Sequence, residues 1–310
     1  MGRGLRRSVL AAALTVTLTA AALTVAAPAH AAPDVDPFSH LGSWADVFDY
    51  APRLQAPGAV PRVTVASIDD MARLGARTLY LQVQNPDGAP SDQLTDRDQI
   101  RALLQRAHQQ KLAVVAWFLP IVTDLAADDR FVREIVRMRV DARGFDGLAL
   151  DIEDTSAVPD VTQRNQRVVQ LARRVRKIVP ASMALGGIVY PAVQLDVVNP
   201  VLWPNFPYKG LGPSIDVWLP MAYFTFRDEA SGYRDAFRYS QESVARLRDH
   251  LDDQHATVHL VGGIADQVTA ADLDGFLRAV KDTDAIGWSL YDYSTTFSTA
   301  WPALRRGPSS

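Results

Sequence analysis

The chain has 310 residues, with 32 basic against 35 acidic side chains and no cysteine. A formal net charge of −3 argues against nucleic-acid binding, which depends on a basic stripe. Without cysteine there is no disulfide, so the fold must be held by burial alone, which a chain of this length can supply.

The N-terminus reads as an export signal. Arg3, Arg6 and Arg7 give a basic start, Leu10 to Ala27 is an apolar run, and Ala29-His30-Ala31 is a small-x-small cleavage pattern. Arg6-Arg7 is a faint twin-arginine feature. A retained membrane helix is the rival reading, but no basic stop-transfer flank follows and Pro28 and Pro33 bracket the cut. Residues 1–31 are therefore expected to leave as a signal peptide, giving a secreted, extracellular chain without a membrane anchor. Their removal takes three arginines and no acid, moving the net charge from −3 to −6.

The remaining sequence alternates short β-branched runs with longer amphipathic ones. Strand one is expected over Trp44–Asp49, then a helix over Ser67–Leu74 capped by Ser67. Strand two follows at Thr78–Val83 and a helix at Asp96–Gln109, with Ile100, Leu103, Leu104 and Ala107 on one face. Ala113–Leu119 reads as strand three, Asp128–Val140 as a helix, Gly147–Glu153 as strand four and Val161–Ile178 as a long helix. Met183–Val189 reads as strand five. Tyr190–Ser214 has no clear full-length helix and carries Trp203, Phe206 and Tyr208 among five prolines. So long a loop in a compact domain points to function, and it is expected to wall the cleft, so that deleting Trp203–Tyr208 harms binding more than stability. Asp216–Tyr223 reads as strand six, Asp235–Leu251 as a helix, Val258–Ile264 as strand seven, Ala270–Val280 as a helix capped by Thr269, and Ala285–Tyr291 as strand eight. Arg305–Ser310 reads as an unstructured tail.

Eight strands, each followed by a helix or long crossover, predict one α/β domain over residues 32–304, a single (β/α)8 TIM barrel. An open doubly wound sheet is the alternative. It would usually bring a glycine-rich phosphate turn after strand one, and no GxGxxG stands there.

Barrel sites lie at the C-terminal ends of strands. On strand four, Leu148, Leu150 and Ile152 share one face, while Ala149, Asp151 and Glu153 share the other. Two acids on the inward face, roughly 6–7 Å apart along the backbone, can share a proton. Each raises the other towards its neutral form, which suits proton donation to a leaving oxygen. Asp154 has the opposite parity and is expected to cap the next helix or pair with arginine.

Asp146, Gly147, Asp151 and Glu153 resemble the strand-four signature DGxDxDxE of family 18 glycoside hydrolases, the chitinase-like barrels; Ala149 stands where that family has Asp. Met221-Ala222-Tyr223 resembles the family's MxY. The resemblance implies a general acid at Glu153, an assisting role for Asp151 towards the substrate's acetamido group, and a supporting hydroxyl at Tyr223.

Other strand ends offer Asp46 and Asp49 (one), Gln82, Gln84 and Asn85 (two), Trp117 (three) and Tyr190 (five). Acids, amides and rings are what sugars require, so Asp46, Gln82, Gln84, Trp117 and Tyr190 are expected to bind substrate. On strand eight either Trp288 and Asp292 or Ser289 and Tyr291 face inward; Trp288 and Asp292 are taken as further binding candidates. Asp266, after strand seven, is a candidate binding acid or nucleophile, or a residue that merely precedes the cap at Thr269. The six histidines show no HxH or HExxH spacing, no lysine ends a strand and no GxSxG is present. Neither a metal nor another cofactor is expected. The expected function is hydrolysis of glycosidic bonds in a polysaccharide or oligosaccharide by a monomer. The alternative is a non-catalytic glycan-binding barrel, for which Ala149 is the best support. A barrel acting on something other than sugar is a third possibility.

Overall fold

The computed structural model describes Met1 and residues 32–84 and 93–308. The expected signal peptide, after Met1, lies outside the described residues, as do Asn85 and the last two residues.

Eight parallel strands form a single (β/α)8 TIM barrel. They are β1 (His40–Ala45), β2 (Thr78–Gln82), β3 (Ala113–Phe118), β4 (Gly147–Ile152), β5 (Leu185–Val189), β6 (Val217–Pro220), β7 (His259–Ile264) and β8 (Gly287–Tyr291). Their order is β6-β5-β4-β3-β2-β1-β8-β7. Parallel bridges Trp218–Val258 and Met221–Val261 join the two outer strands and close the barrel. The helices are α1 (Val47–Tyr50), α2 (Val65–Leu74), α3 (Arg97–Gln109), α4 (Leu125–Arg137), α5 (Val161–Ile178), α6 (Tyr208–Leu211), α7 (Ala236–Leu251), α8 (Ala270–Asp282) and α9 (Trp301–Arg306). Among the described residues no helix is long and apolar enough to cross a membrane.

Several helices begin where a side-chain acceptor takes the free N–H groups of a first turn. Asp96 accepts from Gln99, Asp160 from Gln163, Asp235 from Arg238 and Thr269 from Asp272. Helix α2 starts earlier than expected: Thr64 is the cap residue, and Ser67 reaches back to accept its N–H at 3.0 Å. Strand one needs a larger correction. It ends at Ala45 because the Asp46 carboxylate accepts the N–H groups of Phe48 and Asp49 at 2.8 and 3.0 Å and starts α1 there. Arg305 and Arg306 close α9 and so are not part of an unstructured tail.

Two apolar layers result. Leu148, Leu150 and Ile152 join the outer layer between strands and helices. Ala149 lies inside the barrel with Trp44, Tyr80, Val115, Trp117, Ile188, Leu219 and Val261. Phe38, fully buried, stops the N-terminal end of the barrel. Its segment is fastened by the Asp34 N–H to Ser182 O at 2.9 Å and the Thr78 hydroxyl to Pro37 O at 2.9 Å. Gly147 and Gly186 make room for its ring, since a Cβ on either would lie within 2.8 Å of it.

The segment after β5 departs most from expectation. Trp203, Phe206 and Tyr208 are 1%, 8% and 3% exposed and pack in the outer layer, not on a cleft. Trp203 donates its indole N–H to Asn165 of α5 at 2.6 Å, and the Arg164 guanidinium lies 4.4 Å over its ring. Tyr208 stacks on His250 of α7 at 4.7 Å. These aromatics fill the place of the long helix that the β5–β6 crossover lacks.

Candidate active site

Asp151 and Glu153 project from the end of β4 on the inward side, as their parity requires. Asp151 is 5% exposed, and its Oδ1 has no hydrogen-bond partner among the described residues. Burial, and then the charge of Glu153, hold its carboxyl well above the usual range. Glu153 is half-buried, and burial followed by the Asp154 charge raises it as well. Two acids that resist ionisation together retain a proton at a pH where exposed carboxyls have lost theirs.

Asp154 behaves differently. Burial alone would raise it, but the Ser156 hydroxyl and the N–H groups of Ser156 and Ala157 all donate to it and leave it below its ordinary value. It closes a local turn, while the next helix is capped by Asp160 and not by Asp154 as expected.

Tyrosines surround the pair. The Tyr190 hydroxyl donates to Glu153 O at 3.2 Å. Its pKa is pushed up to about 12 by burial and then by the charges of Glu153 and Asp151. Tyr223 is also raised, first by burial and then by Asp151, Glu153 and Asp292. Both therefore remain hydroxyl donors. Trp117 lies inside the same mouth, 5% exposed, with its buried indole N–H unpartnered among the described residues. It meets Trp44 edge-on at 5.8 Å.

A second acidic group stands at the ends of β1 and β8. Asp46, Asp49 and Asp292 each offer a carboxylate oxygen within 4.8 Å of the others. Burial raises Asp46, partly offset by the Tyr291 hydroxyl, which donates to its Oδ2 at 3.1 Å. Asp49 is pushed up to about 7, by burial first and then by the charges of Asp46 and Asp292. Aromatic rings connect the two acidic groups: Tyr223 and Tyr291 lie 6.2 Å apart at 50°.

The other candidates divide. Gln82 is buried and its Oε1 accepts the Val47 N–H at 3.1 Å, so it holds the first turn of α1. Gln84 is buried at the next inward position. Trp288 is not brought to the mouth. It donates to Leu304 O at 2.9 Å and packs in the outer layer, beside Gly307. The parity of β8 is thus settled with Ser289 and Tyr291 inward. Asp266 is exposed in a single 3-10 turn, Ala265–Gln267, and lacks the desolvation that marks the two groups above.

Sequence reasoning noted Asp49 and Tyr291 without assigning them a role, and it passed over Phe38 and His259. The buried His259 ring lies 2.9 Å from Phe38 O and 3.0 Å from the Tyr80 hydroxyl through Nδ1, and 2.9 Å from the Ser289 hydroxyl through Nε2. Ser289 in turn accepts the Trp44 indole N–H at 2.8 Å. A polar thread thus runs inside the barrel from the Phe38 stopper to the ring beneath the mouth. Only an inward reading of Ser289, left open by the sequence, could have revealed it.

No family model matches the chain, and no curated protein matches it. Solved structures share its fold. The spore cortex-lytic enzyme SleL of Bacillus cereus superposes with a TM-score of 0.61 at 10% identity, over 86% of this chain and 73% of that one. The endo-1,4-beta-mannanase of Rhizomucor miehei gives 0.58 at 12% identity, over 89% and 98% of the two chains. A class V chitinase from Pseudomonas fluorescens Pf-5 gives 0.58 at 12% identity, over 87% and 99%. At such identities the likeness is one of fold, and chemistry has to be argued from the side chains.

Proposed function

We propose that the chain is a secreted glycoside hydrolase acting on a polysaccharide or oligosaccharide. The observation that carries this reading is the Asp151–Glu153 pair, desolvated and raised on the inner face of β4 at the barrel mouth. Glu153 gives its proton to the leaving glycosidic oxygen as the bond to the anomeric carbon breaks and the bonding electrons pass to that oxygen; a water molecule bonds to the carbon in its place and its released proton restores the carboxyl of the pair. Asp151 is its partner, holding the pair in a singly charged state. Tyr223 positions the substrate through a hydroxyl that does not ionise, and Tyr190 fixes the backbone at Glu153. Trp117 gives the mouth an aromatic floor, its ring buried and its indole N–H without a partner among the described residues. Solved structures of like fold include an endo-1,4-beta-mannanase and a class V chitinase, which supports this chemistry.

One observation favours a second reading, a glycan-binding barrel without turnover. Ala149 is fully buried beneath Asp151, and a Cβ on Gly186 would lie 3.1 Å from its own. Among the described residues no acid stands at position 149 to support Asp151 from below, so substrate assistance of the chitinase type lacks one of its groups. A panel of labelled polysaccharides, with Glu153→Gln as the blank, separates the two. Hydrolysis is expected from the unaltered chain and a loss of at least about 100-fold from the variant, with its thermal unfolding unchanged. Retention of a glycan without turnover supports the second reading, and an unaltered rate in the variant rejects Glu153 as the acid. Export with cleavage after Ala31 is checked by N-terminal sequencing of the protein recovered from the medium.

A further inference from the structure

The geometry points to a second functional centre: Asp46, Asp49 and Asp292 hold a hard divalent cation, of which calcium is the expected one. Three carboxylate oxygens that all lie within 4.8 Å of one another already fit one coordination sphere. Ligands at about 2.4 Å from a calcium ion are at most about 4.8 Å apart. The donor set is oxygen alone, with no histidine or cysteine, and such a set selects calcium or magnesium over the transition metals.

An independent observation comes from the Asp49 side chain. Asp49 is 4% exposed, and its Oδ2 is sealed from solvent with no hydrogen-bond donor among the described residues. A buried anionic oxygen left without a donor is strongly unfavourable. The neighbouring oxygens do have donors: Asp46 takes the N–H groups of Phe48 and Asp49 and the Tyr291 hydroxyl, and Asp292 Oδ1 takes Ser294, Thr295 Oγ1 and the Thr295 N–H. Backbone turns and hydroxyls therefore hold the group in place but leave Asp49 Oδ2 unserved. Among the described residues no lysine or arginine forms an ion pair with any of the three. The Arg62 charge and the Ser294 hydroxyl act on Asp49 but leave its Oδ2 without a partner among the described residues, and a cation supplies that partner.

The three acids come from the two ends of the barrel sequence, Asp46 and Asp49 after β1 and Asp292 after β8. A bound ion would tie these adjacent strands together at the mouth. Half-exposed Asp46 leaves the rest of the sphere to water or to a vicinal pair of hydroxyls on a ligand.

This inference does not depend on glycosidic chemistry, and its test contains no sugar. The whole chain is stripped with a chelator and titrated with calcium or magnesium chloride, followed by calorimetry and thermal unfolding. One ion per chain is expected, with a dissociation constant of about 1 mM or tighter. Saturation should raise the melting temperature by about 2–8 °C. Asp49→Asn and Asp292→Asn should each weaken binding at least tenfold. Absence of both heat and shift with either ion up to about 10 mM overturns the proposal, as does unaltered binding in both variants. If a variant fails to fold, terbium luminescence excited through Trp44 and Tyr291 of the unaltered chain decides. Emission displaced by calcium supports the site, and no emission overturns it.

Discussion

At the scale of single residues, burial decides which groups are useful. Asp151 and Asp154 lie three positions apart, yet one is pushed above its ordinary value by desolvation and the other held below it by three donors. The same physics makes His259 a source of acid sensitivity. Burial lowers it to about 4 from 6.5, so the folded chain keeps it neutral while the unfolded chain protonates it between those values. Its stabilising contribution is complete above about pH 6.5 and is lost as the pH falls towards 4, by about 3 kcal/mol at roughly 1.4 kcal/mol per unit. His259→Gln should flatten the decline of the unfolding free energy between pH 6.5 and 4. A curve of the same steepness in the variant would assign that decline to other groups. The inward face of β4 was legible in the sequence because Leu148, Leu150 and Ile152 alternate strictly with Ala149, Asp151 and Glu153. The face of β8 was not, because in a closed barrel both sides of a strand are buried and the alternation of polarity fades. Trp288 and Ser289 then look equally suited to the interior.

Among the elements, the crossover after β5 shows how an irregular segment can do a helix's work. Trp203, Phe206 and Tyr208 interlock with Arg164 and Asn165 of α5 and His250 of α7. The prolines prevent a long helix, so the aromatic content suggested a ligand wall, whereas the rings are needed to cover β5 and β6. Trp203→Ala should therefore cost about 3–5 kcal/mol of stability. It should leave the affinity for any bound glycan within about twofold in the folded fraction, as measured by denaturant unfolding beside a binding titration. A large loss of affinity with normal stability would restore the wall. Strand β1 was misplaced for a related reason: Val47, Phe48 and Tyr50 are strand-favouring residue types, yet Asp46 is a stronger helix cap than its neighbours are strand formers.

For the molecule as a whole, the (β/α)8 order was readable from eight short β-branched runs separated by amphipathic ones, while the seam of the barrel was not. The seam lies between β6 and β7, where Trp218 N–H reaches Thr257 O at 2.9 Å and Ala222 N–H reaches Val261 O at 2.8 Å. Pro220 has no N–H to add there. Hydrogen exchange should release the amides of β6 and β7 before those of β2, β3 and β4, which are laddered on both sides. Uniform protection around the barrel would show that the seam is as firm as the rest.

The Phe38 stopper gives this architecture a direction. Phe38 closes one end, and Trp44, Tyr80 and Trp117 fill the space above it, so the opposite rim is the face left for a ligand. Under the proposed function, a long polymer would therefore lie across the rim rather than thread through the barrel, and both halves of a cut chain would leave by the side from which they came.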